Sequence, residues 1–235
     1  MVLNELIQRS PIRIFEQSIH GGLKAGEVGV VASLNGVGKT SVLVQLALDK
    51  LLQGKKVIHV SFNQNIQYVP VWYEDIFNEF ISKKNLENAS EIKNELFKNR
   101  VLMCFNQDGV TKDQVIKSLR AMILDGSFKA EAIIIDGLDF FRADKDRIAA
   151  VKNFAIELGL SVWYSCSVKE DGSNQYDKEN IPVVLDNFIE DIDIVIVLQP
   201  KSDHVELSIS KDRNSLISKS MAMKLDPKTL LILEA

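Results

Sequence analysis

The chain has 235 residues, 46% apolar and 26% charged, and its 28 Lys and Arg stand against 32 Asp and Glu. That is the make-up of one ordinary globular domain, and the acidic balance argues against a general nucleic-acid coat, which carries a basic surface. Two cysteines, Cys104 and Cys166, are too few for a disulfide scaffold or a structural zinc site of their own.

A single domain over 1–235 is expected, with 1–20 an N-terminal arm or linker helix. The first ten residues hold Glu5 where a secretory signal has a basic residue, and they lack a long apolar stretch. The longest apolar runs, such as 192–198 (broken by Asp193) and 132–135, fall far short of the roughly 20 residues that span a bilayer. A cytoplasmic protein without membrane contact is expected.

Strand-length apolar runs alternate with helical patterns, as in a mainly parallel α/β sheet flanked by helices. The first strand is read at Val28–Ala32, then a helix at Lys39–Leu52 that is apolar almost all round and ends at Gly54. Val57–Phe62 is the next strand. Pro70 opens a helix in which Trp72, Tyr73, Ile76, Phe77, Phe80 and Ile81 recur at helical spacing as core. A polar stretch at 82–90 and a charged helix lead to the strand Val101–Phe105. Thr111 and Gln114 form a capping box for a helix ending near Asp125.

Ala132–Asp136 reads as a buried strand, followed by a helix at 145–158 and strands at 160–168 and 192–198, with 169–180 a polar loop between the last two. From Val205 the period becomes two: Val205, Leu207 and Ile209, then Met221, Met223 and Leu225, then Leu230 and Ile232. These predict antiparallel strands at the C-terminal edge of the sheet.

After the first strand the chain runs Ser33-Leu34-Asn35-Gly36-Val37-Gly38-Lys39-Thr40-Ser41 directly into the apolar helix. Glycines let backbone amides turn toward an anion, the helix N-terminus adds partial positive charge, Lys39 reaches phosphates, and Thr40 can ligate Mg²⁺. Ser33 stands where the G-x-x-x-x-G-K-S/T pattern has its first glycine. The acidic partner is Asp136 at the end of Ile133-Ile134-Ile135-Asp136, suited to the metal's water shell. Asp139 reads as a loop or capping carboxylate.

These residues, with Gly21-Gly22-Leu23-Lys24-Ala25-Gly26-Glu27 before the first strand, the Val57–Phe62 strand and Lys211-Asp212-Arg213-Asn214, resemble the RecA-like ATPases. The likeness is to the branch containing KaiC, RadA and the DnaB helicases. The resemblance implies a RecA-like P-loop core that binds ATP with Mg²⁺ between neighbouring subunits of a ring or filament. It implies Asn35, Gly36, Val37, Gly38, Lys39, Thr40 and Ser41 as nucleotide contacts, and Thr40 with Asp136 as metal residues. Lys211 and Arg213 resemble the pair that reaches a γ-phosphate held by the adjacent subunit. Two positions apart on a strand they would share a face; a solvated edge pair is the other reading. Ser165 or Ser167 falls where the family has a polar phosphate sensor, or is a strand-end hydroxyl serving the backbone.

Where that family has a glutamate after its second strand, this chain has Asn63-Gln64. An amide is no general base near neutral pH, although Gln64 can orient a water. Glu74, the other carboxylate nearby, reads as a solvated helix residue. A nucleotide-controlled switch or assembly factor with slow turnover follows, holding ATP or ADP and acting with copies of itself or a protein partner. The alternatives are an inactive nucleotide-binding regulatory module and a DNA-dependent recombinase or helicase. The loops at 136–147 and 169–180 are acidic and disfavour nucleic acid, with Tyr176 a lone stacking group. His20, His59 and His204 lack ligand constellations, and Cys104 and Cys166 read as buried, inert thiols.

Overall fold

The computed structural model describes residues 11–62, 67–82, 89–169 and 175–234. The strands are β1 (Val28–Leu34), β2 (Val57–Ser61), β3 (Arg100–Cys104), β4 (Ala132–Asp136), β5 (Ser161–Val168), β6 (Ile194–Pro200), β7 (Val205–Asp212), β8 (Ser215–Leu225) and β9 (Ile232–Glu234). The helices are α1 (Pro11–Ser18), α2 (Lys39–Leu52), α3 (Tyr68–Ser82), α4 (Ala89–Lys98), α5 (Lys112–Arg120) and α6 (Asp146–Leu158).

All nine strands form one sheet in the order β3-β2-β4-β5-β1-β6-β7-β8-β9. The first six are parallel, and β7, β8 and β9 join antiparallel. β1 and β4 are almost wholly apolar, and β2 wholly buried, because both their faces are covered. One face packs under α1, α2, α3 and α4 through Phe15, Leu43, Tyr73 and Phe77. The other packs under α5 and α6 through Leu119, Ile148, Phe154 and Tyr164.

Local chemistry sets the element ends. α3 starts at Tyr68, two residues before the expected Pro70. Pro70 sits in the first turn, where a missing N–H leaves no helical bond broken. Thr111 and Gln114 do form the capping box, with the Thr111 amide donating to Gln114 Oε1 at 2.8 Å. α5 then widens into a π turn over Ala121–Asp125.

Within the segment expected as an arm or linker helix, α1 packs into the core from Ile12 onward. Ile12, Phe15 and Ile19 are buried, and the Phe15 ring lies 6.0 Å from that of Trp163. Arg13 Nε donates to the buried Asp49 of α2 at 3.2 Å, and Lys50 Nζ meets Glu16 at 2.7 Å. Burial raises the Asp49 carboxyl above its ordinary range, and the adjacent Arg13 opposes that shift.

His59 lies in the middle of β2, fully buried, sharing a 3.1 Å hydrogen bond with the Tyr73 hydroxyl. Burial pushes the imidazole down to about 4, Asp136 opposes that, and Arg100 adds to it. An unfolded histidine takes up its proton near 6.5, so between about 4 and 6.5 the unfolded chain binds more protons than the folded one. Stability is therefore expected to fall as pH drops through that window, by about 3 kcal/mol from this residue. Denaturant unfolding at pH 7 and pH 4 checks it; His59→Gln should remove most of the difference.

Candidate functional site

β4, β5 and β1 are parallel neighbours, so their carboxyl ends open on one edge of the sheet. From β1 the chain turns through Gly36 (φ 77°) and Gly38 (φ 117°), conformations open to glycine, and enters α2. Gly38 also lies against β8: a Cβ there would stand 2.4 Å from Leu225 Cδ2. The first helical bond runs from Val42 N to Gly38 O, leaving the amides of Lys39, Thr40 and Ser41 without a partner inside the helix. Asn35 and Gly36 are exposed at the loop tip, and Val37 packs on the core beneath.

Lys39 is buried and folds back over this loop. Its ammonium donates to Leu34 O at 2.8 Å, Ser33 O at 3.1 Å and Ser33 Oγ at 3.3 Å. Burial lowers its pKa, and the neighbouring Cys166 and Asp136 oppose that. Ser33, at the missing glycine, thus adds a hydroxyl to the lysine's acceptors. A cation this poorly solvated, beside a helix start whose amides lack helical partners, is a strong donor to an anion once it leaves the carbonyls.

Across the edge, Thr40 Oγ1 donates to Asp136 Oδ2 at 2.8 Å, and Ser165 Oγ donates to Asp136 Oδ1 at 2.5 Å. Among the described residues no group of three or more His, Cys, Asp and Glu could hold a metal. One hydroxyl and one carboxylate make a sparse oxygen set. They fit Mg²⁺, which keeps several waters and takes its remaining ligands from phosphate oxygens.

Ser41 turns away from the loop: its hydroxyl donates to Leu230 O at 2.5 Å. Gln45 joins it, donating to Leu230 O at 2.9 Å and accepting from Ile232 N at 2.8 Å. Of Ser41, only the backbone amide remains for an anion. These bonds pin the β8–β9 turn to α2 and create a feature that sequence reasoning missed. A groove of about 490 Å³ lies between that turn and α3, lined by Tyr68, Val71, Trp72, Asp75, Thr229 and Leu230. Tyr68 and Val71 are exposed, and Trp72 of the expected core stripe is only half-buried. The one sequence signal was an aromatic stripe wider than the core needs.

Lys211 and Arg213 do not share a face. β7 ends at Asp212, so Arg213 takes the first place of a two-residue turn with φ 55°, and strand periodicity stops before it. Lys211 donates to Ile189 O and to Ile192 O, the latter at 2.6 Å. Arg213 grips Glu27 at 2.8 and 2.9 Å and Asp212 at 2.6 Å. Glu27 precedes β1, whereas the glycine loop follows it. Seven residues at ~3.3 Å each put roughly 20 Å between the two ends.

The remaining candidates have other employment. Glu74 is exposed and pairs with Lys93 at 3.8 Å. Asp139 Oδ1 accepts from Phe141 N at 2.9 Å, a turn contact. His20 pairs with Asp212 at 2.5 Å and His204 with Asp203 at 2.7 Å. Cys166 is buried, its thiol pushed up to about 12 by desolvation, whereas Cys104, expected buried, is exposed at the end of β3. Asn63 and Gln64, and residues 170–174 of the 169–180 loop, lie outside the described residues.

No helix among the described residues is long and apolar enough to cross a membrane. No family model matches the chain, and no curated protein shows significant similarity to it.

Proposed function

We propose that this chain is a RecA-like P-loop protein that binds Mg·ATP and turns it over slowly, using the nucleotide to control shape or assembly. The observation that carries this reading is the 2.8 Å bond between Thr40, opening α2, and Asp136, ending β4, beside a glycine loop and a buried lysine. That combination suits a polyphosphate with one hydrated divalent cation and little else.

In this reading Lys39 leaves the Ser33 and Leu34 oxygens for the β- and γ-phosphates, and the loop amides take the rest. Thr40 and Asp136 hold the metal, which neutralises phosphate charge when bound. The nucleoside follows the first turn of α2 into the groove, against Tyr68, Val71 and Trp72, where flat apolar surface suits a base. Lys211 and Arg213, remote from their own loop, serve only a nucleotide held by another copy, so assembly is part of the proposal.

Slow turnover rests on Asn63-Gln64, since neither amide can take a proton from water. Glu74 does not substitute, being paired outward with Lys93. The same facts favour a second reading, a regulatory module that holds ATP without hydrolysing it. Direct DNA contact gains no support: on this edge Arg142 is paired with Asp108, and Lys169 Nζ lies 4.1 Å over the Phe141 ring.

The test is a titration with ATP and ADP, with and without Mg²⁺, followed by tryptophan fluorescence and by phosphate release. Trp72 in the groove should report saturable binding that Mg²⁺ tightens, while Trp163 is buried and silent. Turnover is expected far below the ~10 s⁻¹ of a typical enzyme. Absence of saturable binding at millimolar nucleotide would remove the proposal, and turnover near that typical rate would remove its slow-switch form.

A further inference from the structure

We infer that Ser165 is a positioning residue for the metal-binding carboxylate and not a contact of the nucleotide's phosphates. The inference deepens the Mg·ATP reading and rests on it.

A serine hydroxyl has one proton to donate. In Ser165 that proton is committed to Asp136 Oδ1 at 2.5 Å, within a residue only 3% exposed. One of its lone pairs accepts from Gly137 N at 2.9 Å. What is left is a lone pair, and a lone pair repels a phosphate oxygen. Ser165 therefore has nothing to offer an anion while its hydroxyl holds Asp136.

It has much to offer the carboxylate. Asp136 carries two oxygens, and each is fixed from a different strand-and-helix unit: Oδ2 by Thr40 and Oδ1 by Ser165. If Thr40 turns to the metal, Oδ2 is freed to face it too, and Ser165 becomes the bond that holds the carboxylate plane. The Gly137 amide fixes Ser165 in turn, so the orientation is set by backbone at the end of β4. Outer partners of this kind typically govern metal affinity by about 10–100-fold. A phosphate sensor, if the chain has one on β5, falls instead to Ser167, which shares that face and lies beside Ser33 in register.

The test uses the full chain and three proteins: wild type, Ser165→Ala and Ser165→Thr. Mg²⁺ is titrated into each protein with ATP bound, and ATP and ADP affinities are measured separately in EDTA. Thermal unfolding is recorded for each, so that a folding defect is seen as such. Ser165→Ala is expected to weaken Mg²⁺ binding about 10–100-fold, to leave both metal-free affinities within about twofold, and Ser165→Thr to restore Mg²⁺ binding. Unchanged Mg²⁺ affinity in Ser165→Ala would overturn the inference, as would a selective loss of metal-free ATP affinity over ADP. A wild-type protein that binds no nucleotide would overturn the Mg·ATP reading itself, a distinct result.

Discussion

Lys39→Ala is expected to lower ATP affinity by about 100–10,000-fold while leaving the fold standing. Two charge-assisted hydrogen bonds to phosphate contribute about 1.5–3 kcal/mol each, and every 1.4 kcal/mol is a factor of ten. The cost to stability is small because the lysine's present partners are the Ser33 and Leu34 oxygens and no carboxylate. Asp136, whose charge acts on the ammonium, keeps its hydrogen bonds from Thr40 and Ser165 when it goes. Its lowered pKa records that burial already disfavours the charge, and removal relieves that penalty in part. Lys39→Arg is not expected to rescue binding, since a planar guanidinium needs a wider space than the loop leaves a buried ammonium. Calorimetric titration of ATP into each variant, beside denaturant melts, decides the matter. An alanine variant that keeps wild-type affinity would mean that the loop is not the phosphate cradle.

The sheet was legible because its central strands are covered on both faces. Ile133-Ile134-Ile135 and the apolar run of β1 have no other place to go, and α2, apolar nearly all round, must lie on top of them. The Thr40–Asp136 pair was legible as well, since each residue sits where a strand or helix end fixes it. What escaped was decided by backbone partners that side-chain patterns do not encode. The groove depends on the carbonyl of Leu230, a residue held at φ 56° by a turn in which its amide bonds Asp226 O at 2.7 Å. Arg213 escaped because alternation ended one residue before it. The burial of α1 escaped because the helix is too short to announce it. The contact of Phe15 with Trp163 and the Arg13–Asp49 and Lys50–Glu16 pairs reveal α1 as core.

Gly38→Ala should be among the most damaging single-methyl changes in the chain. At φ 117° any side chain is strained, which costs about 1–3 kcal/mol. The new Cβ would also stand 2.4 Å from Leu225 Cδ2, and Leu225 is fully buried, so the contact is relieved only by shifting β8 or the loop. Overpacking of that kind costs about 1–3 kcal/mol more. Leu225→Ala alone opens a cavity and costs about 2–5 kcal/mol. The double variant separates the two terms, because alanine at 225 removes the clash but not the strain. The pair is therefore expected to be less destabilising than the sum by about 1–2 kcal/mol. Strict additivity in denaturant unfolding would mean that Leu225 does not bear on the loop. Coupling carries a functional consequence: Leu225 ends β8, whose following turn is bound by Ser41 and Gln45. The glycine loop and the C-terminal hairpin are then one mechanical unit. Occupancy of the loop should slow hydrogen exchange at the amides of Leu230 and Ile232, and Leu225→Ala should weaken that effect.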